Sequence, residues 1–283
     1  MPVILTLEPV LPNLRLESIP NEIVSDEGVL VIGFPTGDLA TIDVKSREQK
    51  ARSAFSDLRA QDAGGDLILD ELVRLSPGVV LVAGRLADSN SGVDRSFFES
   101  RNSSDLSVRD RHVLDPGLGV VQDLALAGPG AARALLSDGR LYDVTSRAVT
   151  KDRSAGEHSQ VLRYGADGRA WIGSGGSTPG VRTPTGAFVP LTAGRVTDIV
   201  PVDVDHAAVF VSQPAQAWLV HATGEIQARI PVDDYPYAAA LVGDLLLVGS
   251  VNSSDLQALS PDLTAVRRRA PVGQGVVRVG ATD

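Results

Sequence analysis

Five short segments of this chain carry an oxygen-bearing side chain at the same position. Asn21-Glu22-Ile23-Val24, Asp70-Glu71-Leu72-Val73, Gln122-Asp123-Leu124-Ala125, Ser159-Gln160-Val161-Leu162 and Thr197-Asp198-Ile199-Val200 align so that one column reads Glu22, Glu71, Asp123, Gln160 and Asp198. Carboxylate and amide oxygens suit a hard cation, since calcium takes about six to eight oxygen ligands. If the segments are inner strands around a common axis, Glu22, Glu71, Asp123 and Asp198 enter a channel at one rim. Ca2+ or another divalent ion held there could polarise a carbonyl or acidify a bound water. The column also has a plain reading, in which polar residues at strand starts bond loop backbone or meet channel water.

Other candidates are sparser. His158 lies two residues before Gln160 and could reach the same rim as a general base, but no partner for it can be named. The run Asp88-Ser89-Asn90-Ser91-Gly92-Val93-Asp94, followed by Glu99, has part of the oxygen-ligand spacing of an EF-hand loop. Its glycine falls at position five, where a ligand belongs, and a polar surface loop accounts for the same residues. Pro231-Val232-Asp233-Asp234-Tyr235-Pro236-Tyr237 is a rigid, aromatic and acidic link. On the channel rim it would expose Tyr235 and Tyr237 beside the acidic column as a ligand-binding surface. Trp171 and Trp218 are expected at comparable places in successive units, as core between neighbouring units. No Gly-x-Ser-x-Gly elbow occurs, which removes the usual α/β-hydrolase nucleophile. The absence of cysteine removes thiolate catalysis and Cys-ligated metals.

The elements that must position these residues are strands. Short apolar runs rich in β-branched residues, separated by Gly, Pro, Asp and Ser, dominate the chain. They start near Val29, Val79, Ala132, Ala170, Ala207 and Leu245. The last four starts are spaced 38, 37 and 38 residues apart and the first two intervals are longer. Asp138-Gly139 between two such runs signals a hairpin, through a type I′ turn that needs positive φ. Four short strands per unit of roughly 40 residues is the rhythm of a β-propeller blade. The expected fold is all-β, one β-propeller domain over residues 1–283 with about six four-stranded blades, five or seven being open. Strand-like pieces at Val3–Leu7 and Gly275–Val279 could pair across the termini to close the ring and hide free edges. The long second unit predicts an excursion from the blade over Ala87 to Asn102.

The segment Ala166-Asp167-Gly168-Arg169-Ala170-Trp171-Ile172-Gly173 resembles the Asp-Gly-x-(Leu/Val)-Trp-(Val/Phe)-Gly strand of propellers with weak repeats, the YVTN-like, NHL-like and SMP-30/gluconolactonase-like groups, with Ala170 and Ile172 at the two variable apolar positions. The resemblance implies a propeller throughout and, for the last group, a metal-dependent lactonase or related hydrolase or lyase. That group opens a metal-binding blade with Glu-Gly-Pro-x-Trp. Here Asp26-Glu27-Gly28-Val29 is the nearest match, without the Pro or the Trp.

Composition narrows the partners. The 26 basic and 35 acidic residues give a net charge of −9, and Arg267-Arg268-Arg269 is the densest basic run. Nucleic acid and an anionic membrane are therefore not expected as partners, and no segment is apolar enough over 18 residues to span a bilayer. The N-terminus has no signal-peptide pattern, which points to the cytoplasm, with a secreted mature form left open. Two functions remain. One is a binding propeller whose rim holds a protein or small ligand. The other is a metal-dependent hydrolase or lyase with a divalent ion in the channel.

Overall fold

The computed structural model describes residues 22–53, 55, 66–87, 94–156 and 158–271. Among them are 24 strands and no α-helix. They form six four-stranded antiparallel sheets, each built from strands consecutive in sequence. The sheets are β1–β4 (Glu22–Asp26, Val29–Gly33, Leu39–Asp43, Gln49–Ser53), β5–β8 (Asp66–Ser76, Val79–Ala87, Asp94–Asn102, Val108–Val113) and β9–β12 (Val121–Gly128, Ala131–Leu136, Arg140–Thr145, Val149–Ser154). They continue with β13–β16 (Ser159–Tyr164, Ala170–Ser174, Gly180–Arg182, Phe188–Pro190), β17–β20 (Val196–Pro201, His206–Ser212, Ala215–His221, Ile226–Pro231) and β21–β24 (Pro236–Val242, Leu245–Ser250, Asp255–Leu259, Val266–Pro271). These are blades I to VI of a β-propeller. Blade to blade, the first strands β1, β5, β9, β13, β17 and β21 are successive neighbours and line the axis.

The apolar runs found in the sequence are the second strand of every blade. Their faces are buried against the next blade. Leu39 and Phe55 of the first unit join Leu69, Val80 and Phe97 of blade II. Trp171 and Val181 of blade IV join Val209 and Trp218 of blade V. Both tryptophans are therefore core, but at different places: Trp171 is on the second strand of its blade and Trp218 on the third. A buried aromatic removes about 150–250 Å² from water, so each junction is held by side chains that would otherwise be solvated.

Turn chemistry sets the register. Between β1 and β2, Glu27 and Gly28 both have positive φ, 47° and 80°, as a two-residue I′ hairpin needs. At Asp138-Gly139 only the glycine is left-handed. Gly139 N–H donates to Leu136 O at 2.8 Å and the Asp138 carboxylate accepts from Arg140 N–H at 3.0 Å. The hairpin is thus a three-residue turn ending in Gly, not the expected I′ turn.

The extra length of the second unit goes into its strands. β5 has 11 residues and β6 and β7 have nine each. Ala87 and Asp94–Asn102 are paired strand, so the expected excursion over Ala87–Asn102 is corrected. Residues 88–93 lie outside the described residues, as do the strand-like pieces at both termini. Outermost strands carry Lys50, Arg52, Arg109, Arg111, Lys151, Arg229 and Arg267 to Arg269. Charged side chains on an exposed edge oppose pairing with another chain.

Candidate functional site

The inner strands of blades II to VI share a defect that places the site. In each, the register against the second strand skips one residue: Asp70, Gln122, Gln160, Thr197 and Tyr237. An inserted residue of this kind is a β-bulge, which bends the strand and redirects a side chain. Four of the five, Gln122, Gln160, Thr197 and Tyr237, line one cavity of about 150 Å³ with Glu71, Asp123, Arg163 and Arg195. Blades II to VI all contribute. The cavity is the mouth of the axial channel, at the rim where the inner strands begin.

After each bulge comes the column read from the sequence. Glu71, Asp123 and Asp198 pair with Ala83, Leu135 and Phe210, and Glu22 pairs with Gly33 at the equivalent place in blade I. In blade IV the equivalent residue is Val161. Gln160 belongs one position earlier, with the bulges. The structure therefore puts Glu71, Asp123, Gln160 and Tyr237 around one cavity, while Glu22 and Asp198 are buried beside the channel, 4% and 5% exposed, and do not line it.

Two of the carboxylates hold the ring together. Asp123 Oδ1 accepts from Leu124 N–H at 2.9 Å, and Oδ2 accepts from Leu162 N–H of the next blade at 2.7 Å. Asp198 repeats the pattern, Oδ1 with Ile199 N–H at 2.8 Å and Oδ2 with Ala239 N–H of the next blade at 2.9 Å. Arg163 lies between them. Its Nη1 donates to Asp123 Oδ2 at 2.5 Å and its Nη2 sits 2.9 Å from Asp198 Oδ1. One guanidinium thus ties blades III, IV and V. Burial raises the Asp198 carboxyl above its usual range, opposed by Arg163 and by the two amides. The charge that the sequence reading assigned to a divalent ion at Asp123 and Asp198 is met here by Arg163. Among the described residues no group of three or more His, Asp or Glu side chains is arranged to hold a metal.

Asp70, the fifth bulge residue, is different. Burial pushes its pKa up to about 6, with Arg85 pulling it down and Asp94 pushing it further up. Arg85 bridges the pair, Nε 3.6 Å from Asp70 and Nη1 3.6 Å from Asp94. Asp70 Oδ2 is buried without a hydrogen-bond partner.

Of the aromatic link only Tyr237 reaches this cavity, while Tyr235 is partly buried and does not line it. Tyr237 is 42% exposed and lines the cavity. The rings of Tyr235 and Tyr237 are near-parallel, 6.5 Å apart and inclined 17°. Arg195 lies over Tyr235 at 5.5 Å and donates to its hydroxyl. Asp234, next in the link, accepts from Asn252 Nδ2 at 3.0 Å.

His158 does not assemble a base. It is exposed, at φ 60°, with its ring against Gly176. No carboxylate or hydroxyl among the described residues bonds that ring. Glu99, the last residue of the EF-hand-like spacing, is fully buried on β7. It takes Arg101 Nε at 2.6 Å and also binds Arg111. Arg101 lies 4.0 Å over Phe55. This is a buried anchor for the link between blades I and II, and Glu99 is committed to it.

Sequence reasoning missed Arg163 and Arg195. The sequence alignment sets Leu162 beside Val73, Ala125 and Val200, and only the pairing of Val161 with Gly173 moves Arg163 into that column. A bulge shifts the phase of the apolar alternation, as from Leu67 and Leu69 to Leu72 in β5, a mark that the sequence reading did not use.

No family model and no curated protein matches the chain. Solved structures do. BamB from Moraxella catarrhalis aligns over 95% of this chain and 81% of its own, at 13% identity and a TM-score of 0.57. The WD40 β-propeller domain of Doa1 aligns over 95% and 88%, at 10% identity and a TM-score of 0.64. The computationally designed Ika8 protein aligns over 95% and 92%, at 10% identity and a TM-score of 0.59. At these identities the likeness is one of fold, a β-propeller, and the count of six blades is read from this chain's own sheets. The YVTN, NHL and SMP-30 groups gain no support from it.

Proposed function

We propose that this chain is a non-catalytic binding propeller that holds a polypeptide partner on the rim around Tyr237. The observation that carries this reading is the series of bulges, which sets Gln122, Gln160, Thr197 and Tyr237 around one channel mouth. A cavity of about 150 Å³ is well below the roughly 300–1,000 Å³ of small-molecule sites. It suits a single inserted side chain, with the rest of the partner lying over the rim. Amide, hydroxyl and phenol groups make hydrogen bonds at low entropic cost, and an exposed tyrosine is a common anchor at interfaces. The ion pairs below the cavity stiffen its floor.

The alternative, a hydrolase or lyase with a divalent ion in the channel, would have to draw Asp123 and Asp198 away from four amides and Arg163. Protein binding fits the geometry better.

Peptide-array probing with the purified protein tests the proposal. Binding to a defined set of sequences should fall at least tenfold for Tyr237→Ala and be unchanged for Tyr164→Ala, on the other rim. Equal loss from both variants, or none from Tyr237→Ala, would overturn it.

A further inference from the structure

The opposite rim holds a larger cavity, of about 440 Å³. It lies between the turns that follow the inner strands of blades II, III and IV. Leu75, Pro77, Leu126, Pro129 and Tyr164 are among the residues that line it. Leu75 is buried while Leu126 is 44% exposed, unusual for a leucine on an inner strand. Gly130 N–H donates to Leu75 O at 3.1 Å and so fixes two of the turns together. Tyr164 is held in place by a relay. Arg133 Nη1 donates to its hydroxyl at 3.0 Å with the guanidinium 5.6 Å over the ring, and Arg133 Nε donates to Asp143 at 2.7 Å. The cavity is therefore built on fixed elements.

Gly128, which lines it, is the second observation. Of the other three glycines here, Gly130 and Gly168 have φ of 71° and 74°, which explains them, and a Cβ at Gly165 would crowd Asp167 Oδ1 at 2.9 Å. Gly128 is the last residue of β9, without positive φ, and a Cβ there would meet nothing within 4 Å. The bulge beside it inserts Ala127, not Gly128. Neither conformation nor crowding calls for glycine at this position. With no Cβ, glycine lets a ligand approach the backbone closely.

We infer that this cleft is a binding site for a small uncharged apolar molecule, a ring or short aliphatic body packed against Leu126, Tyr164 and the backbone at Gly128. The volume is in the small-molecule range and exceeds what one partner side chain would fill. The charges near it are committed to the protein: Arg74 to buried Asp26 at 2.8 Å and Arg133 to Asp143 and Tyr164. An ionic ligand would find no matching group.

The neutral dye N-phenyl-1-naphthylamine is a suitable probe. Its fluorescence should rise saturably with native protein, at one site per chain. Gly128→Val should weaken binding at least tenfold while leaving Tm unchanged or raised, because its side chain enters open space on a strand. Tyr164→Ala should also weaken binding, and Tyr237→Ala should not. No saturable response, or equal affinity in Gly128→Val, overturns the proposal. Loss of a polypeptide partner in Gly128→Val without dye binding to wild type would overturn it too, by making the cleft a protein contact. Tyr237→Ala separates this site from the one proposed on the other rim.

Discussion

The Asp70 carboxyl makes stability depend on pH in an unusual direction. Its pKa is raised from 3.8 to about 6 because burial penalises the anion more than Arg85, 3.6 Å away, favours it. The unfolded chain loses this proton near pH 4, whereas the folded protein keeps it to about pH 6. Between those values the folded state binds more protons, so stability falls as pH rises and the penalty is complete above pH 6. Two pKa units at about 1.4 kcal/mol each make the cost roughly 3 kcal/mol. An asparagine side chain in its place would mimic the protonated acid at every pH. Asp70→Asn should therefore match wild type at pH 4 and exceed it by roughly 3 kcal/mol at pH 8. At about 2–4 °C per kcal/mol for a chain of this size, Tm should rise by about 6–12 °C. Denaturant titrations of both proteins at pH 4 and pH 8 give the difference directly, and the comparison cancels every other titrating group. A gain independent of pH, or a loss at pH 8, would refute the reasoning. Asp94→Asn should lower the transition, since Asp94 raises the Asp70 pKa.

Removing the Arg163 guanidinium as Arg163→Met leaves the buried Asp123 and Asp198 charges unpaired and should cost about 3–5 kcal/mol in denaturant unfolding. Most of that loss should return when Asp123→Asn and Asp198→Asn are added. Chelator or millimolar calcium should leave the wild-type melting temperature unchanged, because Arg163 and four backbone amides already occupy the oxygens of Asp123 and Asp198. A calcium-dependent rise would restore the metal reading through mass action on the native state. Glu99→Gln should destabilise by about 3–5 kcal/mol, since it breaks the buried ion pairs of Glu99 with Arg101 and Arg111.

Fold was legible from second strands because they are buried on both faces and read as continuous apolar runs, Val29–Ile32 or Leu245–Val248. The six runs gave six blades with five or seven open, and the six sheets settle the count among the described residues. The carboxylate column was legible because Glu22, Glu71, Asp123 and Asp198 share one register. Its chemistry was not. The partners of Asp123 and Asp198, namely Leu162, Ala239 and Arg163, come from other blades, and no single run of sequence brings them together. The bulges escaped because the phase shift they leave in the apolar alternation was not used. Gln160 was drawn into the wrong column because only the β13–β14 pairing shows that it is the extra residue. The second unit misled because longer strands and a longer loop lengthen the interval equally.

Site-specific photo-cross-linking tests the central claim most directly. A benzoylphenylalanine placed at position 237 reports on the channel-mouth rim, and one at position 204, an exposed valine in the turn after β17, reports on the opposite rim. Irradiation in cells of the source organism should give one or a few discrete protein adducts from position 237 and none from position 204. Matching adduct patterns from both positions, or none from 237, would contradict a polypeptide-binding rim.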